Sequence, residues 1–244
     1  MAEEQWKRIG VLLPPMNVSM EPDMYTWAPD GVTVHITRMF RSEAVTGVTQ
    51  LQEMLEGLEE DTRRLAFTRP HIIVYGCTSG SSLEPKQDQD IARRIEAISG
   101  TPAIATAGAV VEALRALDIH RVAVATPYVD EINERELAFL RDYGFDPVSL
   151  EALRFSASYD IADVSQEQIY QLAISADRPE AQGLFISCTN LRTAPIIDRL
   201  EQELGKPVVT SNQASMWLAL RRMGVMAPVS GGGRLMAKAA EVAA

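Results

Sequence analysis

Cysteine is almost missing from this chain: its 244 residues contain two, Cys77 and Cys188. Two cysteines cannot build a disulfide framework, and without a Cys-x-x-Cys or His-x-x-x-His spacing no metal site is expected. The three histidines, His35, His71 and His120, stand apart and are read as surface or strand-end residues. Basic residues are also in deficit. Lys and Arg number 23 against 33 Asp and Glu, and the formal charge of -10 comes with no cationic cluster. Phosphate contacts need a basic face, so nucleic acid is excluded as a partner, whereas a small anion held by local backbone dipoles is not. No run reaches the roughly 20 apolar residues that span a bilayer, and Met1 to Arg8 is too polar for a secretory signal. The expectation is a protein of the cytoplasm with no membrane partner.

What is present is an alternation. Short runs rich in Val and Ile are separated by longer helical patterns, the signature of a parallel sheet covered on both faces. Strands are expected at Ile9 to Leu13, Val32 to Ile36, Ile72 to Tyr75, Ala103 to Ala105, Val122 to Ala125, Gly183 to Ser187 and Val208 to Val209. Helices are expected at Thr49 to Phe67, Gln87 to Ile98, Ala107 to Leu117, Asp130 to Tyr143, Ser165 to Ala176, Pro195 to Leu204 and Gln213 to Met223. Gly100, Gly144 and Gly205 sit where left-handed caps end three of them. Gly231-Gly232-Gly233 follows no strand and lacks a Lys-Ser/Thr partner, so it reads as a turn into the last helix rather than a phosphate loop.

The stronger signal is duplication. Arg8 to Pro14 reads like Arg121 to Pro127, His71 to Ser79 like Gly183 to Asn190, and Thr101 to Thr106 like Lys206 to Ser211. Three matches in one order, at an offset of about 110 residues, imply two similar α/β halves. The first is expected over 1–118, completed by 225–244, and the second over 119–224. Both cysteines then stand at the carboxyl ends of equivalent strands, where open α/β sheets place their ligands. Packing of the halves about a pseudo-twofold axis would set the two thiols face to face across one cleft.

Each cysteine is followed by small polar residues, Thr78-Ser79-Gly80-Ser81-Ser82 after Cys77 and Thr189-Asn190 after Cys188. Such residues let the backbone turn sharply and aim N–H groups at an anion, and a helix start beside them is expected to lower a thiol pKa. The richer flank of Cys77 marks it as the more readily ionised thiol, with Cys188 the more protonated. Read alone, either cysteine could be a buried core residue. Asn17, after the first strand, could hold a carboxylate or simply cap a turn, and Tyr128, after the equivalent strand, could donate its phenol or pack at a helix start.

At these residues the chain resembles the aspartate/glutamate racemase superfamily, in its maleate cis-trans isomerase and arylmalonate decarboxylase branch. The likeness runs from about Arg8 to Leu235 and rests on Pro14 to Glu21, Tyr75-Gly76-Cys77-Thr78-Ser79, Val122 to Tyr128 with Asn133-Glu134-Arg135, and Ile186-Ser187-Cys188. The resemblance implies two flavodoxin-like halves with parallel sheets, no cofactor, and a small carboxylate substrate between them. It makes Cys77 the nucleophile or first base and Cys188 its acid/base partner. Asn17, Thr78, Ser79, Tyr128, Thr189 and Asn190 would hold carboxylate oxygens. Maleate isomerases carry a substrate-binding Asn where this chain has Ser158, and arylmalonate decarboxylases carry Gly where it has Cys77.

Maleate-type cis-trans isomerisation is the leading expectation. A racemase of amino-acid-like or aryl acids, an arylmalonate-type decarboxylase and a small-acid binding protein stand as alternatives. Folds of this kind commonly form homo-oligomers, which is expected here too.

Overall fold

A computed structural model describes residues 6–237 and shows two four-stranded parallel sheets with helices on their faces. The first sheet contains β1 (Lys7–Leu13), β2 (Val32–Arg38), β3 (Ile72–Tyr75) and β4 (Ala103–Ala105). The second contains β5 (Arg121–Thr126), β6 (Asp146–Ala152), β7 (Gly183–Ile186) and β8 (Val208–Thr210). Their orders, β2-β1-β3-β4 and β6-β5-β7-β8, are the same. The duplicated sequence is therefore a duplicated topology.

The inner strands explain why the pattern was legible. Ile72–Tyr75 and Gly183–Ile186 are buried along their whole length, because helices cover both faces of the sheet. Parallel pairing sets Val11 beside Val74 in the first sheet and Val124 beside Phe185 in the second. The edge strand β6 was not anticipated. It is half-buried, begins Asp146-Pro147, and pairs with β5 through a register shift at Val122/Ala123. An edge strand with one wet side offers no continuous apolar run.

The helix expected at Thr49 to Phe67 is instead two, Val48–Glu56 and Leu58–Ala66, separated at Gly57. The helix expected at Pro195 to Leu204 opens with a 3-10 turn, Ala194–Ile196. Gly100, Gly144 and Gly205 do adopt positive φ, and Gly231 turns the chain toward the helix Gly233–Ala237. That helix lies against β8 and the helix Ile197–Leu204, and Trp27 of the first half donates to the Gly231 carbonyl. Residues 238–244 of the 225–244 segment lie outside the described residues.

The halves meet through the helices Thr106–Ala116 and Ser211–Arg222, which pack on each other as pseudo-symmetric equivalents. Thr106 and Ser215 join them by hydroxyls 3.0 Å apart. Asp23, on the helix Met20–Trp27, adds a polar tie. One of its carboxylate oxygens accepts from the Thr193 amide at 3.0 Å and the Asn212 side chain at 3.0 Å, both in the second half. These contacts fix the carboxyl ends of β3 and β7 relative to each other. No helix among the described residues is long and apolar enough to cross a membrane.

Candidate active site

Leaving β3, the chain passes Gly76 and reaches Cys77, which caps the short helix Thr78–Ser81 with its own sulfur. The Gly80 amide donates to Cys77 Sγ at 3.4 Å, and Ser79 Oγ lies 3.8 Å away. Gly80 is needed for this approach. A Cβ there would fall 3.1 Å from Cys77 Sγ and 2.7 Å from the Tyr75 hydroxyl.

The helix start was expected to lower the thiol pKa, and the structure corrects this. Burial dominates and pushes Cys77 above its ordinary value, while the Gly80 amide, the Ser79 hydroxyl and the Arg41 guanidinium pull it back. Four residues of helix supply too small a field to offset desolvation.

Cys188 follows β7 and Ser187 with a φ of 100°, a backbone conformation that side chains other than glycine rarely take. Such a conformation costs on the order of 1–3 kcal/mol and persists only where its surroundings hold it. Here the Cys188 amide donates to Ser211 Oγ at 3.1 Å, the Asn190 amide donates to Cys188 Sγ at 3.3 Å, and the Tyr128 hydroxyl also donates to the sulfur. Burial pushes this thiol up to about 12, so it holds its proton. The expected ranking of the two thiols stands, with Cys188 the more protonated, although neither is depressed.

The two cysteine turns are tied together behind the pocket. Thr78 donates from its hydroxyl to Ser211 Oγ at 2.8 Å, the oxygen that also receives the Cys188 amide. Thr78 thus turns its side chain away from the cleft, leaving only its backbone to face a ligand.

A small cavity lies between the halves, with about 380 Å³ of space between its wall atoms including the part open to solvent. It brings together Cys77, Cys188, Asn17, Ser79, Tyr128, Ser158, Thr189 and Asn190, every residue assigned from sequence except Thr78. Their side chains are not equally free. Asn17 both caps and points inward: its Oδ1 accepts from the Ser19 and Met20 amides, and its Nδ2 donates to Thr189 Oγ1 at 2.9 Å with one hydrogen to spare. Thr189 passes its own proton to the Gly76 carbonyl. Asn190 is consumed as a clasp, accepting from the Val18 amide and donating to the Ser158 and Met16 carbonyls.

Tyr128 is committed to the second thiol, its hydroxyl directed at the Cys188 sulfur. Asn133 donates to its carbonyl at 2.9 Å and accepts from Thr126, which fixes the turn, and burial holds the phenol protonated.

Residues not found from sequence complete the walls. Arg41 and Thr46 come from the segment after β2, and Leu51 from the helix that follows. This segment is strapped to the second half: the Thr46 amide donates to Ser156 O at 2.7 Å and the Ser158 amide to Ala44 O at 2.8 Å. The signal that could have found Arg41 is its position past the carboxyl end of a strand, the edge on which such sheets bind ligands. Glu136 lies behind the site, almost wholly buried. It accepts from Ser187 Oγ at 2.6 Å, leaves its other oxygen without a partner, and is pushed up to about 7 by desolvation.

Comparison with known proteins agrees with this geometry. The family model described as arylmalonate decarboxylase matches residues 9–236. Maleate isomerase of Nocardia farcinica is 31% identical over 250 residues, covering 98% of each chain. Arylmalonate decarboxylase of Bordetella bronchiseptica is 36% identical over 128 residues, 52% of this chain and 53% of that one. A solved structure of the Nocardia farcinica maleate cis-trans isomerase, a Cys-to-Ser mutant with a covalently bound succinylcysteine intermediate, matches with a TM-score of 0.90. It is 28% identical and covers 95% of this chain and 98% of that one.

Proposed function

The chain belongs to the arylmalonate decarboxylase family, and from that premise we propose that it is a cis-trans isomerase converting maleate to fumarate with two thiols. The observation that carries the reading is the pair of cysteines in one small cavity, one solvated by a backbone amide and the other kept protonated by burial.

In this route the Cys77 thiolate forms a bond to one alkene carbon as the π pair moves to its neighbour. The neighbouring carbon takes the proton of the Cys188 thiol, giving a saturated adduct whose central bond is single and rotates. Cys188 then takes a proton back, the double bond re-forms, and the Cys77 thiolate leaves from the trans isomer. No electron is gained or lost overall. The succinylcysteine held by the Nocardia farcinica relative is the adduct that such a sequence passes through. Asn17, through its spare amide hydrogen, holds the carboxylate that stays in place while the other swings, and the Tyr128 phenol steadies the Cys188 sulfur beside it.

The decarboxylase relative favours a second reading, in which Cys188 alone protonates the carbanion left by loss of carbon dioxide. Cys77 argues against it, because a single proton donor needs no nucleophile opposite. Residence in the cytoplasm and a homo-oligomeric state belong to the proposal as well.

Proton NMR separates the readings. Maleate mixed with the protein is expected to give fumarate, with its single olefinic resonance, and phenylmalonate is expected to stay intact. No fumarate at high enzyme concentration, or rapid release of carbon dioxide from phenylmalonate, would overturn the assignment.

A further inference from the structure

We infer that Arg41 is the specificity-determining residue of the pocket, receiving the second anionic group of the substrate and committing the site to dicarboxylates over monocarboxylic or aryl acids. The inference rests on the dicarboxylate reading above and names the residue that enforces it.

The guanidinium lines the same cavity as the two thiols. Its Nε is shut off from solvent and has no hydrogen-bond partner, while Nη2 donates to Ser158 Oγ at 3.3 Å. Arg41 makes no ion pair among the described residues, although nearly every other pocket-facing polar group is matched. A partly buried guanidinium left without an anion is costly unless a ligand supplies one. The acidic group that acts on it most is the Cys77 thiol, and its foremost carboxylate partner, Glu53, is already engaged by the Ser42 amide and hydroxyl at 2.9 and 2.8 Å. The strap holding Arg41 is fastened at Thr46 and Ser158, whose hydroxyls lie 3.0 Å apart, so the cation is fixed at the wall rather than free to swing into solvent.

A planar fork with unmatched N–H groups suits a carboxylate, which it can grip through two parallel hydrogen bonds. An aryl substituent in the same place would leave those groups desolvated and unpaired. Arg41 lies outside the three repeated motifs, so the pocket binds its two ends differently, one by neutral donors and one by a cation.

The test uses saturated probes that cannot react, so it does not depend on turnover. Succinate and butyrate differ in one carboxylate, and their binding is measured by calorimetry or competition with maleate. The intact protein is expected to bind succinate roughly 30-fold or more tightly than butyrate, the strength of a charge-assisted hydrogen bond. Arg41→Met is expected to bring the two within about threefold, chiefly through weaker succinate binding. Arg41→Lys, which keeps the charge and loses the fork, should fall between, and it provides the readout if the methionine variant does not fold. Equal binding of both probes by the intact protein, or a succinate preference that survives in Arg41→Met, would overturn the inference. So would a loss confined to the pH profile of Cys77 alkylation, which would mean that Arg41 acts on the thiol instead. Discrimination without maleate turnover would defeat the isomerase reading and leave the role of Arg41 standing.

Discussion

Cys77→Ser lowers turnover by about three orders of magnitude or more, Cys188→Ser by a comparable amount, and the double variant is little worse than the worse single one. The size follows from the role: a serine hydroxyl at Cys77 is far less acidic than a thiol already raised by burial, so almost no nucleophile remains. The non-additivity follows from the sequence of events. Once the bond to sulfur cannot form, the Cys188 proton has no carbanion to meet. Neither variant should unfold the protein, because Ser79 and Gly80 flank an unchanged turn, and thermal unfolding serves as the control. Near wild-type turnover in Cys77→Ser would end the two-thiol account and leave Cys188 as sole proton donor.

Glu136→Gln removes the part of the pH dependence of stability between pH 4.5 and 7 that this carboxyl contributes. The buried carboxyl has its pKa raised from 4.5 to about 7, so in this window the folded protein holds a proton that the unfolded chain has released. The carboxyl's contribution to stability therefore falls as pH rises through the window and levels off above it. The shift corresponds to about 3 kcal/mol. Glutamine keeps an acceptor for the Ser187 hydroxyl, 2.6 Å away, and never ionises. Urea denaturation at about pH 4.5 and pH 8 should show the difference between variant and wild type moving by roughly 3 kcal/mol in favour of the variant at the higher pH. Parallel pH profiles for the two proteins would show that Glu136 does not titrate there. The same substitution removes a negative charge that raises both thiols, so both should ionise more readily.

The parts legible in the sequence are those where physics leaves a local mark. Inner strands buried on both faces must be apolar, and a duplicated fold must repeat them, so the halves and the strand-end cysteines could be read together. The edge strand β6 left no such mark, since Asp146, Pro147 and Glu151 interrupt its apolar residues. The helix Met20–Trp27 buries positions 20, 23, 24 and 27, a helical spacing, but position 23 is the aspartate that ties the halves together, which hid the stripe.

At the site the same division holds. Cys77, Cys188, Tyr128 and Asn17 sit next to repeated motifs, and the cavity gathers them. Arg41 lies on the segment after β2, outside the three repeated motifs, where it meets the segment after β6 through the Val45–Ala157 bridge. Glu136 occurs among Glu131, Glu134 and Arg135, where it reads as a solvated helix face until the fold turns it inward. The thiol pKa direction was misread because the field of a helix start is local, while desolvation depends on everything packed around the sulfur, which sequence does not display.

The most direct test of the central claim is mass spectrometry of Cys188→Ser after incubation with maleate. With the acid/base partner changed and the nucleophile intact, the adduct should form and be slow to leave, in the way that a Cys-to-Ser mutant of the Nocardia farcinica isomerase holds a succinylcysteine. The predicted result is a mass increase of one maleic acid, localised to the peptide that carries Cys77 and missing when Cys77→Ser is added. A preparation that converts maleate to fumarate with no adduct on Cys77 under any quench, or an adduct that persists without Cys77, would contradict the account.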